Sequence, residues 1–183
     1  MHRVRYNVDG HARYLTFSCF QNRPFLRSRR ARGWFVDALL AARERWGFSL
    51  WAYVIMPDHV HLLLLPQRGA DIQGILRSCK QPVTERAKAW LQRHEPDGVR
   101  IMVDAQPDGT VAYRFWQRGG GYDRNITTPE EAHEKAIYIH NNPVRAGLVD
   151  RPEQWPWSSH RAWQRSGEAP IPIDRETLPP LES

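Results

Sequence analysis

The chain has 183 residues and a mass of 21.4 kDa, with 41% hydrophobic and 25% charged residues, as in one folded domain of ordinary size. No apolar run approaches the roughly 20 residues that cross a bilayer, and the basic N-terminus lacks the apolar stretch of a secretion signal. Cys19 and Cys79 form no CxxC pair, so neither a disulfide framework nor a zinc knuckle is indicated. We therefore exclude the secreted and membrane classes and expect a protein of the reducing cytoplasm.

The positive charge is concentrated near the start of the chain. The formal net charge is +6, and the first 50 residues contain ten arginines, no lysine and three acidic residues. Arginine makes bidentate contacts with phosphate, so this surplus favours nucleic acid as a partner. A solvated basic surface without a ligand is the alternative that charge alone leaves open. The arginines for which we predict DNA phosphate contacts form the densest cluster: Arg27, Arg29, Arg30 and Arg32.

The first part of the chain predicts a strand, a helix, two strands and a second helix. In chain order these elements cover residues 14–20, 29–46, 50–56, 59–65 and 72–91. Apolar residues alternate or run continuously in the strands and recur at helical spacing in the helices. The short turn at Pro57-Asp58 makes the middle strands an antiparallel hairpin. Pro82 predicts a kink in the second helix or its division into two.

The second part of the chain predicts a fourth strand and a well-marked third helix. Residues 94–110 indicate a loop or loose hairpin, residues 111–117 a strand, and the triple glycine at 119–121 a flexible joint. Thr128 as N-cap, Pro129 and Glu131 mark the start of the helix, which Pro143 is expected to end at about residue 142.

The order of these elements is βαββαβ, which is typical of a ferredoxin-like α+β fold with an antiparallel sheet and helices on one face. The third helix is an addition to that unit. We assign residues 1–165 to a single domain and residues 166–183 to an irregular, proline-rich tail.

Two groups of polar residues could carry chemistry. His59 and His61 lie on one predicted strand, so both imidazoles point to the same face, about 6–7 Å apart along the strand, where they could hold a divalent ion. Two structural histidines at a strand end are the alternative. On the third helix, Glu134, Tyr138 and Asn142 share a face, although a tyrosine at such a position is usually a packing residue.

Taken together, four segments resemble the REP-associated tyrosine transposases, which are relatives of the single-tyrosine HUH transposases. The resemblance covers roughly residues 10–163, with the motifs in the family's order. The segments are MPDHVHLLL from Met56, WQRGGGYDRNI from Trp116, YIHNNPVRAGLV from Tyr138 and WPWSS from Trp155. The first and third are the most specific.

The resemblance implies both an activity and a set of residue roles. The HUH motif falls on His59, Val60 and His61, with the histidines as metal ligands, while the nucleophile falls on Tyr138 and a third ligand on Asn142. Family members cleave single-stranded DNA, form a 5′-phosphotyrosine link and release a 3′-hydroxyl. They use a divalent metal, Mg²⁺ or Mn²⁺, and no nucleotide cofactor. The implied function is a transposase or nickase that cleaves and rejoins single-stranded DNA, at sites that bear a hairpin.

Some residues depart from this pattern or compete with these roles. Some family members carry a Gly-Thr-Trp segment before the first strand, where residues 10–14 here read GHARY. Tyr122, beside the triple glycine, is a rival nucleophile, and His140 is a further candidate ligand or a neighbour that tunes the phenol. Trp46 and Trp90 lie on helical apolar stripes and are predicted to belong to the core.

Two other functions stay open at this point. One is a catalytically silent nucleic-acid-binding module of the same fold, and the other is a phosphodiesterase that uses water as its nucleophile. The joint presence of His59, His61, Tyr138 and Asn142 favours the transposase. The choice between monomer and homodimer is undecided, as is the question of whether the tyrosine helix serves its own subunit or a partner.

Overall fold

The computed structural model describes residues 10–119 and 121–181, which form six strands and four helices joined by short 3₁₀ turns. The strands are β1 (Ala12–Ser18), β2 (Ser49–Ile55), β3 (His59–Leu65), β4 (Val103–Ala105), β5 (Val111–Tyr113) and β6 (Tyr122–Ile126). The helices are α1 (Arg29–Trp46), α2 (Ile72–His94), α3 (Pro129–Arg145) and α4 (His160–Trp163). None of the helices in the described ranges is long and apolar enough to cross a membrane.

The main sheet has four strands in the order β2-β3-β1-β6, and every neighbouring pair is antiparallel. The first helix follows β1 and the second follows β3, which gives the predicted ferredoxin-like order. The predicted fold class, α+β with an antiparallel sheet, is confirmed. β3 and β1 are the central strands, and β2 and β6 form the edges.

The two faces of the sheet bury separate cores. Leu15 and Leu62 point from the central strands towards α1 and α2, where they pack in one core with Phe35. Leu63, on the opposite face, packs in a second core with Ile139 of α3. The helices expected on one face are therefore α1 and α2, whereas the added helix α3 covers the other face.

The fourth strand of the sheet is β6 rather than the predicted strand at residues 111–117. That segment contributes β5, which pairs with β4 in a separate two-stranded ribbon, and Trp116, which forms an isolated bridge with Cys19 just after β1. β6 is a polar strand, and the buried guanidinium of Arg13 on β1 holds it in place. The guanidinium forms a bidentate ion pair with Asp123 (2.9 and 2.6 Å) and donates a hydrogen bond to the Asn125 side chain. A side chain on Gly121 would place its Cβ 1.9 Å from the carbonyl oxygen of Thr16, so only glycine allows this close approach.

Two prolines lie inside helices that continue past them. α2 is one continuous helix around Pro82, so the predicted division into two helices is wrong. α3 extends through Pro143 to Arg145, one turn beyond the predicted end. Pro143 is buried, and its packing offsets the hydrogen bond that a proline removes from the helix.

The C-terminal segment covers the edge of the sheet at β2. Backbone hydrogen bonds join Ile55 N to Trp157 O (2.8 Å), Ser159 N to Tyr53 O (3.0 Å) and Asp174 N to Leu50 O (2.8 Å). An exposed strand edge is a template for unwanted pairing, so this cover protects the sheet. The proline-rich tail has an irregular path and packs against the body of the protein through the fully buried Ile171.

Candidate active site

The two histidines of the His-x-His motif lie side by side on β3. Both point to the face of the sheet that carries α3, because side chains along a strand alternate between faces. Their ring centroids are 4.8 Å apart and the ring planes are nearly perpendicular, at 86°. The predicted shared face is therefore present, with the imidazoles close enough for their nitrogens to meet at one ion.

The Nδ1 atom of each imidazole is held by a neighbouring side chain. Asp58 lies 2.8 Å from Nδ1 of His59. Nδ1 of His61 lies 2.8 Å from the hydroxyl of Tyr14 and 2.7 Å from that of Thr16, which faces His61 across the β1–β3 pair. Metal-binding histidines are usually oriented in this way through the nitrogen that does not bind the metal. With Nδ1 held in this way, Nε2 of each ring is the nitrogen that would bind a metal.

His61 is only 5% exposed, and this burial governs its protonation. Burial, followed by the nearby imidazole of His59, lowers the pKa of His61 to about 3, while a hydrogen bond with Asn142 acts in the opposite direction. The ring is therefore neutral at physiological pH. Neutral imidazole is the form that binds metal ions.

The third helix brings Tyr138 to this pair. The Thr128 hydroxyl accepts a hydrogen bond from the Glu131 amide (3.2 Å) at the start of α3, as the capping pattern predicts. The Tyr138 ring lies 5.9 Å from that of His61 and 6.3 Å from that of Tyr14, in edge-to-face contact with both. Its side chain remains 37% exposed. An accessible phenol thus stands directly beside a buried, neutral imidazole.

Asn142 lies one turn after the tyrosine and faces the same way. Its side chain is 9% exposed, its Nδ2 donates to the Tyr138 carbonyl oxygen (2.9 Å), and it interacts with His61. The predicted grouping of His59, His61, Tyr138 and Asn142 is therefore present in one chain. The functions assigned to these residues stay predictions.

The available donors fit a hard or borderline divalent ion. They comprise two imidazole nitrogens and one amide oxygen, a set that suits such an ion. In residues 10–119 and 121–181, no group of three or more His, Cys, Asp or Glu side chains is arranged to hold a metal. A metal here would therefore depend on Asn142 as well as on the histidines.

Two cations flank the phenol, and the sequence analysis missed both. The Cζ atom of Arg145 lies 5.2 Å from the centre of the Tyr138 ring. The Lys135 ammonium lies 5.8 Å from that ring and 5.6 Å from the ring of Tyr14. Positions 135, 138, 142 and 145 share one face of a helix, so spacing alone could have identified these cations.

The rival residues take other places. Tyr122 on β6 is 38% exposed, and its ring lies 5.8 Å from that of Tyr14, so it stays close to the site. The imidazole of His140 points into the protein, where its Nε2 lies 2.8 Å from the hydroxyl of the fully buried Ser159. This orientation directs its Nε2 to a structural contact rather than to the histidine pair.

The arginine cluster does not form one uniform surface. Arg27, Arg29 and Arg30 are exposed at the start of α1, whereas Arg32 is only 7% exposed. Its guanidinium carbon lies 4.9 Å from the ring of Trp155 and 5.4 Å from that of Trp157, and burial lowers its pKa. The predicted phosphate contacts of all four residues stay predictions, and Arg32 is the least accessible of them.

A ferredoxin-like sheet that carries a His-x-His pair on a central strand, beside a tyrosine on an added helix, is the arrangement that the motif resemblance implies. The relatives of this chain are REP-associated tyrosine transposases, which confirms the resemblance found in the motifs. No family model matches the chain.

The two sequence relatives are distant from this chain, and both carry the same family name. The REP-associated tyrosine transposase of Escherichia coli is 24% identical over 135 residues, which is 73% of this chain and 67% of that protein. A Haemophilus influenzae protein that carries the same family name is 27% identical over 120 residues, and the match spans 64% of this chain and 62% of its relative.

The fold itself is shared with a solved structure. A REP-associated tyrosine transposase bound to a REP hairpin matches with a TM-score of 0.69 at 18% identity, over 100% of this chain and 99% of the other. The two proteins therefore have the same fold.

Proposed function

We propose that the chain is a metal-dependent tyrosine transposase or nickase that cleaves and rejoins single-stranded DNA through a 5′-phosphotyrosine intermediate. The observation that carries this proposal is the position of Tyr138, whose ring lies 5.9 Å from the buried, neutral imidazole of His61. The packing of the tyrosine helix on the sheet of the same chain supports a site built from one subunit.

In the proposed cleavage step, the phenolic oxygen of Tyr138 forms a bond to the scissile phosphorus as the bond to the 3′ oxygen breaks. The phenol proton passes to solvent, and the departing 3′ oxygen takes up a proton to become a hydroxyl. The covalent intermediate divides one displacement into two easier ones. A divalent ion held by His59, His61 and Asn142 would polarise the phosphate and offset its developing charge.

Rejoining reverses these events. The oxygen of a DNA 3′-hydroxyl forms a bond to the phosphorus of the phosphotyrosine, and the hydroxyl loses its proton to solvent. The bond between the phosphorus and the phenolic oxygen breaks, and the phenolate takes up a proton. A phenol has a pKa near 10, which makes it a better leaving group than an alkyl alcohol, so joining needs no nucleotide cofactor. Arg145 and Lys135 lie 5.2 and 5.8 Å from the centre of the Tyr138 ring, which supports a role for these cations in stabilising the negative charge that develops in the reaction.

The proposed substrate is single-stranded DNA that bears a hairpin. The solved structure of similar fold holds a REP hairpin, and we extend that partner to this chain. The exposed arginines at the start of α1 supply the charge for its phosphates. No acidic residue lies in the first turn of α1, where the helix dipole itself favours an anion.

A covalent-adduct assay tests the proposal. Single-stranded DNA labelled at its 3′ end, so that the label stays on the fragment joined to the tyrosine, carries the hairpin that flanks the protein's own gene. It is incubated with the protein and Mg²⁺ or Mn²⁺, then analysed on a denaturing gel. We expect a shifted, metal-dependent band that persists in Tyr122→Phe and disappears in Tyr138→Phe. The reverse pattern would assign the nucleophile to Tyr122.

Two other outcomes would contradict the tyrosine mechanism. Metal-dependent cleavage without a shifted band would identify water as the nucleophile. Binding without cleavage, on DNA that contains the hairpin and both flanks, would identify the silent nucleic-acid-binding module.

A further inference from the structure

A small apolar cavity lies outside the active site, between the start of α1, the end of α2 and the 3₁₀ turn before β4. Its volume is about 150 Å³, and four aromatic side chains form much of its wall: Phe25, Trp34, Trp90 and Phe115. The polar groups in the lining are those of Ser28 and Arg30. Trp46 and Trp90 are both half-buried: Trp46 packs against the core beneath α1 and α2, as predicted, whereas Trp90 belongs to neither core, so the prediction for Trp90 is wrong.

The aromatic wall already binds one planar cation. The guanidinium carbon of Arg30 lies 4.2 Å from the centre of the Trp90 ring. On α2, the His94 ring stacks on Trp90 with a centroid distance of 4.9 Å and an interplanar angle of 13°, which fixes the orientation of the indole. A base that stacks on Trp90 would therefore take the place that the Arg30 guanidinium occupies on the ring, whereas Trp34 lines the cavity as a further aromatic surface.

The entrance to the cavity is strongly basic. Arg30 lines the cavity, and Arg27 and Arg29 are exposed neighbours on the same segment. None of the ion pairs among the described residues involves these three side chains. Three cations at the positive end of a helix are unfavourable unless an anion compensates them. The entrance is therefore suited to a polyanion, whereas the interior is suited to an apolar, planar group.

The size of the cavity identifies the part of the polyanion that fits. Pockets for drug-sized molecules occupy at least roughly 300 Å³. A cavity of about 150 Å³ is too small for a whole nucleotide and suits a single base, with its phosphates outside. Proteins that bind single strands stack bases on aromatic rings and on guanidinium planes, and they bind the backbone through cations.

We propose that this cavity binds one unpaired base of single-stranded DNA, whose adjoining phosphates lie along Arg27, Arg29 and Arg30. The proposal rests on the proposed function, which supplies the single-stranded substrate. The segment that carries the arginines abuts the turn before His59, because the Leu26 amide donates to the Pro57 carbonyl oxygen (2.8 Å). The base pocket and the candidate active site are therefore linked through this turn.

Filling the cavity tests the proposal. Ala87 lines the cavity, and Ala89 lies two residues further along α2 but is exposed, so Ala87→Leu and Ala89→Leu form a matched pair. Binding of a fluorescent, mixed-sequence single-stranded oligonucleotide is measured by anisotropy. We expect Ala87→Leu to weaken binding about 5-fold or more, as the loss of one base stack does, and Ala89→Leu to leave binding unchanged.

A crosslinking experiment locates the base without relying on the fold of a variant. Oligonucleotides with 5-iodouracil at one position each are irradiated with the wild-type protein, and the adducts are mapped by mass spectrometry. We expect one substituted position to crosslink to Trp34, Trp90, Phe25 or Phe115. Trp90→Ala should reduce both this crosslink and the affinity, with circular dichroism reporting whether each variant is folded.

The outcomes separate this proposal from the proposed function. Normal wild-type binding with crosslinks only outside the cavity, or a folded Ala87→Leu variant of unchanged affinity, would overturn the base pocket alone. Failure of the wild-type protein to bind single-stranded DNA would overturn the proposed function and the pocket together.

Discussion

The phenolic oxygen of Tyr14 lies 2.8 Å from Nδ1 of His61, so a residue on the first strand orients a histidine on the third. Burial raises the pKa of Tyr14 to about 12, with smaller contributions from its neighbours, so this phenol stays neutral and serves as a hydrogen-bonding group. It is 6% exposed, in contrast to the accessible Tyr138. The two tyrosines therefore differ in accessibility and in hydrogen bonding, although their rings are in contact.

Replacing Tyr14 with phenylalanine should therefore weaken metal binding and leave the nucleophile in place. Loss of a group that orients a metal ligand typically costs about 10- to 100-fold in affinity. Because the Thr16 hydroxyl still contacts His61, we expect the lower end of this range, measured by calorimetric titration with Mn²⁺. Tyr53→Phe is the control: its hydroxyl accepts a bond from the Ile171 amide, so its loss should lower thermal stability alone. Equal Mn²⁺ affinities in the two variants would contradict the role given to Tyr14.

The neighbouring asparagines on α3 offer a matched comparison. Asn142 is buried beside His61, whereas Asn141 is more exposed and its side chain donates to the Ile137 carbonyl oxygen. Asn142→Ala should reduce the rate of adduct formation about 10-fold or more, since it removes the third proposed ligand. Asn141→Ala should stay close to wild type. The rates are measured in time courses at saturating DNA. Similar rates in both variants would contradict the proposed role of Asn142 as a ligand.

Arg145 should matter for the rate of the reaction more than for the fold. Its guanidinium lies over the Tyr138 ring and can stabilise charge on the phosphate, and removal of one such group costs roughly 100-fold in comparable sites. We expect Arg145→Ala to slow adduct formation by at least about 10-fold, because Lys135 also lies near the phenol. Arg68→Ala, in the loop after β3 at the end remote from His59, is the control with an unchanged rate. An unaffected Arg145→Ala would show that its contact with Tyr138 is only packing.

The pair between Arg13 and Asp123 should be important for stability. Both side chains are nearly inaccessible (3% and 2% exposed), and breaking one partner of such a buried pair costs about 3–5 kcal/mol. Arg86 and Asp37 form an exposed pair (49% and 61%), which is worth about 0–1 kcal/mol. We therefore expect Arg13→Met to lower the free energy of unfolding in urea far more than Arg86→Met does. Equal losses would contradict the account of how β6 is held.

The sequence predicted those parts of the fold and the site that depend on local spacing. The bounds predicted for α1 and β3 are those observed, because their apolar patterns and end signals are local. The shared face of His59 and His61, and that of Tyr138 and Asn142, likewise follow from the periods of a strand and a helix.

The missed features depend on contacts between distant segments. Nothing in the polar segment of β6 indicates a strand, because its pairing depends on Arg13 of β1. The contacts of Tyr14 and Thr16 with His61 require the register between β1 and β3, which no local pattern contains. α3 continues through Pro143 because that ring is buried in the folded protein.

β3 is paired on both sides, with β2 and with β1, so the backbone that carries both histidines is hydrogen-bonded before any ligand arrives. Small metal-dependent domains, by contrast, acquire their fold from the ion. A chelator should therefore abolish the proposed metal-dependent cleavage reversibly without unfolding the protein, and the amide protons of β3 should remain among the slowest to exchange in either state.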